Sequence, residues 1–180
     1  MIKNLSKIIL VLAVISGCSD SCFLPESPER IKGVPYFRDT VWGMTIEQVE
    51  AAEKESKASW SSTHNVTYTD VEVYGFMTQS IWYYFDDDKK LNGASCNFAS
   101  WLIDDYNAAF GTLKEILTQM YGDDYEEHYY ERELHDGNTD YTYSVSWDKQ
   151  GTNIQLTLSC IVDFGGQSQW FGLVINYTAK

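Results

Sequence analysis

The sequence predicts an α+β domain, in which two helices pack on an antiparallel β-meander of about six to eight strands. Two segments have the apolar spacing and the end signals of helices, and the segments after each of them alternate apolar and polar residues as strands do. The three prolines, Pro25, Pro28 and Pro35, all precede the alternating segments, so no proline removes a backbone donor from the sheet. The order of elements, a helix and then strands, occurs twice and suggests two halves.

The first eighteen residues have the features of a secretory signal. Lys3 and Lys7 precede the apolar run from Ile8 to Ile15, and the small residues Ser16 and Gly17 follow. The run is too short for a membrane span, which needs about 20 apolar residues. We therefore expect residues 1–17 to be removed.

The end of this segment, Ile15-Ser16-Gly17-Cys18, resembles the bacterial lipobox. The resemblance implies acylation of Cys18, and two or three chains at about 0.8 kcal/mol per buried CH₂ anchor a protein stably. The alternative is an ordinary cleaved signal and plain secretion. Ser19 follows the cysteine, and by family analogy this favours the outer membrane over the inner membrane in a host that has both.

These features divide the chain into a signal peptide (1–17), a lipidated tether (18–35) and a single α+β domain (36–180). The tether contains all three prolines among polar residues. A segment of this composition is expected to stay extended. Acylation of Cys18, the first residue of the tether, would anchor the domain in the bacterial cell envelope.

The chain is strongly acidic, with a net charge of −13. Loss of Lys3 and Lys7 with the signal leaves 11 basic and 26 acidic residues, a net charge of −15. Such a field repels phosphates, so we expect no nucleic-acid partner.

The first helix is predicted to begin after Thr45. The Thr45 side chain and Gln48, three residues later, form the pattern of a capping box, and Met44 and Val49 can form a hydrophobic staple. We expect this helix to end at about Ala58.

Four strands are predicted between the two helices, and four more after the second one. The first set covers 66–69, 71–74, 77–85 and 91–99, with the polar turn 86–90 closing a hairpin. The second set covers 125–134, 141–147, 153–162 and 169–178, joined by turns rich in Gly, Asp and Asn. Of these, 125–134 has the composition of a solvated edge strand.

The second helix is predicted between an aspartate cap, Asp104 or Asp105, and a terminal Gly122. Its apolar residues have i, i+3, i+4 and i+7 spacing, which places one stripe against one sheet face. They are Tyr106, Ala109, Phe110, Leu113, Ile116, Leu117, Met120 and Tyr121.

The start of the first helix, Gly43-Met44-Thr45-Ile46-Glu47-Gln48-Val49, resembles the outer-membrane assembly lipoproteins and the β-lactamase-inhibitor-like proteins. That resemblance implies helices on an antiparallel sheet and a function through binding proteins, without chemistry. The chain departs from the pattern because no Leu-Gly-x-Pro follows the first helix.

Three cysteines remain once Cys18 is acylated: Cys22, Cys96 and Cys160. An exported protein meets an oxidising compartment, so Cys96 and Cys160 are compatible either with a disulfide or with two buried thiols. Cys22 lies too near the anchor to enter a core.

No motif in the chain predicts catalysis, and we expect no catalytic residue, metal site or cofactor. Gly166-Gln167-Ser168-Gln169-Trp170 lacks the last glycine of a hydrolase elbow. His128 and His135 are seven residues apart, which does not suit zinc. The segment 136–140 begins like a calcium loop, but Tyr141 and Trp147 occupy the positions of its glycine and glutamate.

These observations predict a lipid-anchored, non-catalytic envelope protein that binds or scaffolds a protein partner. Trp60, Trp82, Trp101 and Trp170 are candidate contact residues for that partner, or alternatively core residues. The alternatives are a secreted hydrolase that uses paired carboxylates and a weak calcium-binding envelope protein.

Overall fold

The computed structural model describes residues 37–53, 58–98, 105–163, 166 and 168–180. The predicted signal and tether, with Cys18 and Cys22, and also Trp101, lie outside the described residues. The helices are α1 (Ile46–Ala52) and α2 (Tyr106–Tyr121). The strands are β1 (Trp60–Ser61), β2 (Asn65–Tyr68), β3 (Glu72–Val73), β4 (Phe76–Phe85), β5 (Leu91–Phe98), β6 (Glu126–Glu133), β7 (Thr139–Lys149), β8 (Thr152–Val162) and β9 (Ser168–Ala179).

The strands form one antiparallel sheet in the order β1-β2-β4-β5-β9-β8-β7-β6, with β3 paired to β4. The α+β prediction is therefore confirmed, with nine described strands instead of the expected six to eight. The additional strand is β1, whose two residues are too few for an alternating pattern. The last strand before α2, β5, pairs with the last strand of the chain, β9, at the centre of the sheet.

Both helices begin where their caps predict. The Thr45 hydroxyl accepts from the Gln48 amide at 3.4 Å, and the Gln48 side chain accepts from the Thr45 amide at 2.8 Å, which completes the capping box. Asp105 caps α2 by accepting from the Ala108 amide at 3.0 Å. Gly122, at φ 90°, ends that helix as predicted.

The first helix is shorter than predicted. It ends at Ala52 with Glu53 as its C-cap, and residues 54–57 of the expected extension to Ala58 lie outside the described residues. Because the helix ends here, the Glu53 side chain lies in the core, and only 3% of the residue is exposed.

The hydrophobic core lies between the helices and one face of the sheet. Tyr106 stacks on Phe171 with ring centroids 4.6 Å apart, and Phe110 packs on Tyr143 at 5.1 Å. The fully buried strand residues on this face alternate along β4, β5, β7, β8 and β9. They include Ile81, Tyr83, Cys96, Val145, Trp147, Ile154, Leu156, Leu173, Ile175 and Tyr177.

A β-bulge at Gln79 explains the break in the alternation of β4. Thr78 pairs with Phe98 and Ser80 with Asn97, so Gln79 is the extra residue of the longer strand. Beyond it, Ile81, Tyr83 and Phe85 are buried with a strict period of two.

The predicted edge strand is confirmed in β6. All of its residues are exposed, and it pairs only with β7 among the described strands. Its glutamates put charge along an otherwise open row of backbone groups, which discourages pairing with another sheet.

A buried ion pair joins the first described residues to the sheet. Arg38 Nε lies 2.9 Å from Glu53 Oε1, and the Tyr83 hydroxyl donates to the same carboxylate oxygen. Burial, together with the negative charge of Glu53, raises the pKa of Tyr83, so this phenol stays protonated as the donor. Burial alone would lower the pKa of Arg38, but the carboxylate outweighs it and the pKa is raised.

Cys96 and Cys160 do not form a disulfide, so that alternative of the sequence analysis is wrong. Both lie on the helix-side face, but β9 separates their strands. Cys96 pairs with Ile175 of β9 and Cys160 with Phe171, four residues further along, so the two sulfur atoms are far beyond bridging distance. Burial raises the pKa of the Cys96 thiol and keeps it neutral.

Removal of the Glu53 carboxylate is expected to destabilise the domain strongly. In the Glu53→Ala variant, the Arg38 guanidinium and the Tyr83 hydroxyl lose their shared acceptor. Breaking a buried pair costs about 3–5 kcal/mol, and we expect about 3 kcal/mol because Arg38 is partly exposed. Urea unfolding measures the loss. Glu50→Ala, an exposed position on α1, is the matched control and should change the free energy of unfolding by less than about 0.5 kcal/mol.

The buried tyrosines predict a loss of stability at alkaline pH. Burial raises the pKa of Tyr68 and Tyr121 to about 12 and also raises the pKa values of Tyr83 and Tyr177 well above their usual range. Since an unfolded tyrosine titrates near pH 10, the unfolded state releases protons first. The free energy of unfolding should hold up to about pH 10 and then fall by about 1.4 kcal/mol per pH unit for each such tyrosine.

Urea unfolding between pH 8 and pH 11.5 tests this, with the absorbance of tyrosinate followed in parallel. Tyr83→Phe should make the alkaline decline less steep, because one raised phenol is removed. A stability that stays constant across this range would contradict the prediction.

Candidate binding surface

The face of the sheet opposite the helices forms a continuous surface across the described strands. Successive Cα partners place Thr67, Trp82, Ser95, Asn176 and Gln155 in one row across β2, β4, β5, β9 and β8. The two helices and the segment around Phe37 contact the other face. We call the part of this surface that lies on β1, β2, β4, β5, β9 and β8 the open face. Its residues are Asn65, Thr67, Ser80, Trp82, Tyr84, Gly93, Ser95, Asn97, Asn153, Gln155, Thr157, Ser159, Ile161, Trp170, Gly172, Val174, Asn176 and Thr178, with Trp60 of β1 beside Thr67.

The open face carries no charged residue, although the protein has 39 acidic and basic side chains. Its side chains are hydroxyls, amides and aromatic rings, apart from the aliphatic Ile161 and Val174. The same face of the sheet carries charge on the outer strands, for example at Asp148 of β7 and at Glu126 and Arg132 of β6.

Three aromatic rings cluster at one end of the open face, and we call Trp60, Trp82 and Tyr84 the aromatic platform. The ring centroids of Trp82 and Tyr84 are 6.5 Å apart and their planes differ by 13°. The Trp60 ring lies 6.0 Å from that of Trp82 at 56°. Trp60 is 50% exposed and Tyr84 39%, which is unusual for side chains of this size.

Hydrogen bonds hold two of these rings along the sheet. The Trp82 indole donates to Ser80 Oγ at 2.9 Å, and the hydroxyls of Tyr84 and Ser95 are 3.0 Å apart. Ser80 and Ser95 belong to the same face as the rings, so each ring reaches along the surface to its partner. The planes of these two rings are nearly parallel, and both rings are held close to the strands.

Gly93 gives Tyr84 the space to lie on the sheet. A Cβ atom at Gly93 would meet Tyr84 Cδ2 at 3.4 Å and the Tyr177 carbonyl oxygen at 3.2 Å. Beside the ring is a depression of about 280 Å³, whose lining includes Tyr84, Asn92, Asn176 and Thr178. An aromatic wall, two amides and a hydroxyl thus surround one hollow.

One buried hydroxyl lies beneath the platform. Thr67 Oγ1 has no hydrogen-bond partner within the described part of the chain, and Thr67 is only 5% exposed. Thr67 is the Cα partner of both Trp60 and Trp82. An unpaired buried hydroxyl lowers stability by about 1–3 kcal/mol, so a ligand group that hydrogen-bonds to Thr67 Oγ1 would remove this cost.

Three of the four tryptophans singled out from the sequence lie on the same face of the sheet. Trp60, Trp82 and Trp170 are on the open face, and Trp101 is outside the described residues. Trp170, 53% exposed, lies against Gly172 towards the other end of its strand. Sequence reasoning missed Tyr84, although its position two residues after Trp82 places both on one face.

The acidic segments considered for metal binding form turns and edge contacts. Asp86 accepts from the Lys90 amide at 2.8 Å, and Asp136 accepts from the Asn138 amide at 3.0 Å, as aspartates in turns do. His128 lies 3.5 Å from Glu126 on the exposed edge strand. In the residues the structure describes, no group of three or more His, Cys, Asp or Glu side chains could hold a metal ion.

Comparison of the chain with protein-family models, with curated proteins and with solved structures finds no match. Among the described helices, neither has both the length and the apolar character that a membrane span requires.

The surroundings of Gly93 and Gly111 predict opposite effects for two glycine-to-alanine changes. Gly93→Ala should destabilise the domain by about 1 kcal/mol, because the added methyl lies only 3.2 Å from the Tyr177 carbonyl oxygen and the backbone must shift to admit it. Gly111→Ala should stabilise it by about 0.5–1 kcal/mol, because nothing lies within 4 Å of the added methyl and alanine favours a helix. Urea unfolding of both variants is the measurement, and equal shifts in the same direction would contradict the packing described.

Proposed function

We propose that this chain is a lipid-anchored, non-catalytic binding module of the bacterial envelope, and that its binding surface is the open face. The observation that carries the proposal is the aromatic platform on a surface without charge. Trp and Tyr rings supply large contact areas at low entropic cost and dominate the energetics of many interfaces. Here they lie outside the core that holds the domain together.

The anchor in this proposal rests on the lipobox-like segment ending at Cys18, and the tether on the polar, proline-bearing residues up to 35. The described chain begins at Phe37, whose ring packs on Tyr177 with centroids 4.8 Å apart, on the helix side. That contact puts Phe37 on the face of the sheet opposite the platform, so the first described residue does not cover the open face.

The environment of the buried acid favours a binding module over the hydrolase alternative. A hydrolase of that kind needs a carboxylic acid in a cleft with a second carboxylate nearby. Among the described residues Glu53 is the acid that is buried, and Arg38 and Tyr83 both bind its carboxylate. It acts as a structural anion in this arrangement.

Photo-crosslinking in membranes of the host tests the proposal. We expect p-benzoylphenylalanine at Thr178, which lines the depression, to capture one reproducible partner. The same group at Glu115, an exposed position on α2, should capture little or none. The comparison asks whether contacts concentrate on the open face.

Cys18→Ala is the control for anchoring, and this variant should leave the membrane fraction. Adducts that are equally abundant from Thr178 and Glu115 would overturn the proposed binding surface. An acylated peptide missing from the mass spectrum of the native protein would overturn the proposed anchor.

A further inference from the structure

We infer that the ligand of the open face is a neutral β-1,4-linked glycan, which contacts the aromatic platform and the adjacent depression. This inference rests on the proposed function, since it names the ligand class of the same surface. Three features support it: the absence of charge on the strands of the open face, the nearly parallel rings of Trp82 and Tyr84, and the hydrogen-bonding groups around them.

The composition of the open face suits sugars better than a protein. Ser and Thr are under-represented among the residues that dominate protein interfaces, and Arg is enriched there. Apart from its aromatic rings, the open face has no arginine and many hydroxyl and amide side chains. A neutral glycan needs no charge on its receptor.

The aromatic platform matches the apolar surface of a sugar ring. One face of a pyranose ring presents C–H groups, which pack favourably on an aromatic ring because the face of that ring is negative and its C–H partners are positive. Trp82 and Tyr84 differ by 13° and are 6.5 Å apart, so two neighbouring rings of one chain can lie on them. A β-1,4-linked chain is a flat ribbon, whereas an α-1,4-linked chain curves away from a flat surface.

The groups beside the platform match sugar hydroxyls. An amide side chain offers a donor and an acceptor in one plane, and a sugar hydroxyl both donates and accepts. Asn92 and Asn176 border the depression together with Thr178. Asn97 already donates to Ser80 at 3.3 Å, which fixes its amide on the face.

The unpaired Thr67 hydroxyl supplies a second, independent indication of a ligand. It is buried beneath the platform without a partner among the described residues. The Trp60 ring beside it is half exposed and belongs to a strand of two residues, so it can shift without loss of core packing. A ligand hydroxyl inserted there would complete the hydrogen bond.

Isothermal titration calorimetry with defined hexasaccharides tests the inference. The native acylated protein is purified in a detergent without a sugar headgroup and titrated with cellohexaose and with chitohexaose, and maltohexaose serves as the α-1,4-linked comparison. We expect saturable binding of at least one β-1,4-linked hexasaccharide and weaker binding of maltohexaose. Trp82→Ala and Tyr84→Ala should each weaken binding about tenfold, which corresponds to about 1.4 kcal/mol.

Tyr129→Ala is the matched control, because Tyr129 is 63% exposed but lies on the other side of the sheet on β6. It should bind as the native protein does, and thermal unfolding should show that all variants are folded. Binding that survives the platform substitutions would overturn the assignment of the site.

The two proposals fail in different ways. If no hexasaccharide binds and the crosslinker at Thr178 captures a protein, the glycan inference is overturned and the binding module stands. If maltohexaose binds as tightly as the β-1,4-linked chains, the linkage assignment is overturned. If neither crosslinking nor calorimetry detects a ligand, both proposals are overturned.

Discussion

The buried carboxylate of Glu53 is the contact on which the arrangement of this domain depends. A charge in the interior is tolerated only when it is paired and hydrogen-bonded, and Arg38 and Tyr83 meet both conditions from two other parts of the chain. Arg38 belongs to the segment before α1, Glu53 ends α1, and Tyr83 is in the middle of β4. Their contact therefore fixes the first helix and the chain before it to one face of the sheet.

Because this contact fixes the first helix to one side of the sheet, the two faces of the sheet carry different kinds of side chain. With both helices on one face, every second residue of β4, β5, β8 and β9 enters the core, and the residues between them belong to the open face. The core side uses large apolar side chains. The open side uses small polar ones, which lie low enough for Trp82 and Tyr84 to extend over them.

Local patterns in the sequence predict the helices, their caps and most of the strands. Thr45, Gln48, Asp105 and Gly122 act within one helical turn of their own position, so their neighbours in sequence determine what they do. The pairing of β5 with β9 joins segments about eighty residues apart, and no local pattern encodes it. The separation of Cys96 from Cys160 follows from that pairing, which is why the sequence left a disulfide open.

The candidate surface could be predicted from the sequence only in part, because it also depends on contacts between distant segments. The period of two places Trp82 and Tyr84 together on one face, but it does not tell which face the helices cover. The burial of Glu53 could not be predicted either, because the predicted helix runs past it to Ala58. Its burial depends on Arg38 and Tyr83, one of them thirty residues away.

Charge and aromatic area together limit what the open face can bind. Exposed rings alone bind many apolar or planar ligands, so they give affinity with little selectivity.

The surrounding molecule has a net charge of −13, and the charged residues of its outer strands border the face without entering it. An anionic polymer is repelled where it comes within about 10 Å of these carboxylates at 0.1 M salt, since the repulsion is largely screened at longer distances. A cationic partner would be attracted to the outer strands, where the carboxylates are, and away from the rings. The platform is therefore most accessible to a ligand without charge, and the hydroxyls and amides around it favour one that can exchange hydrogen bonds.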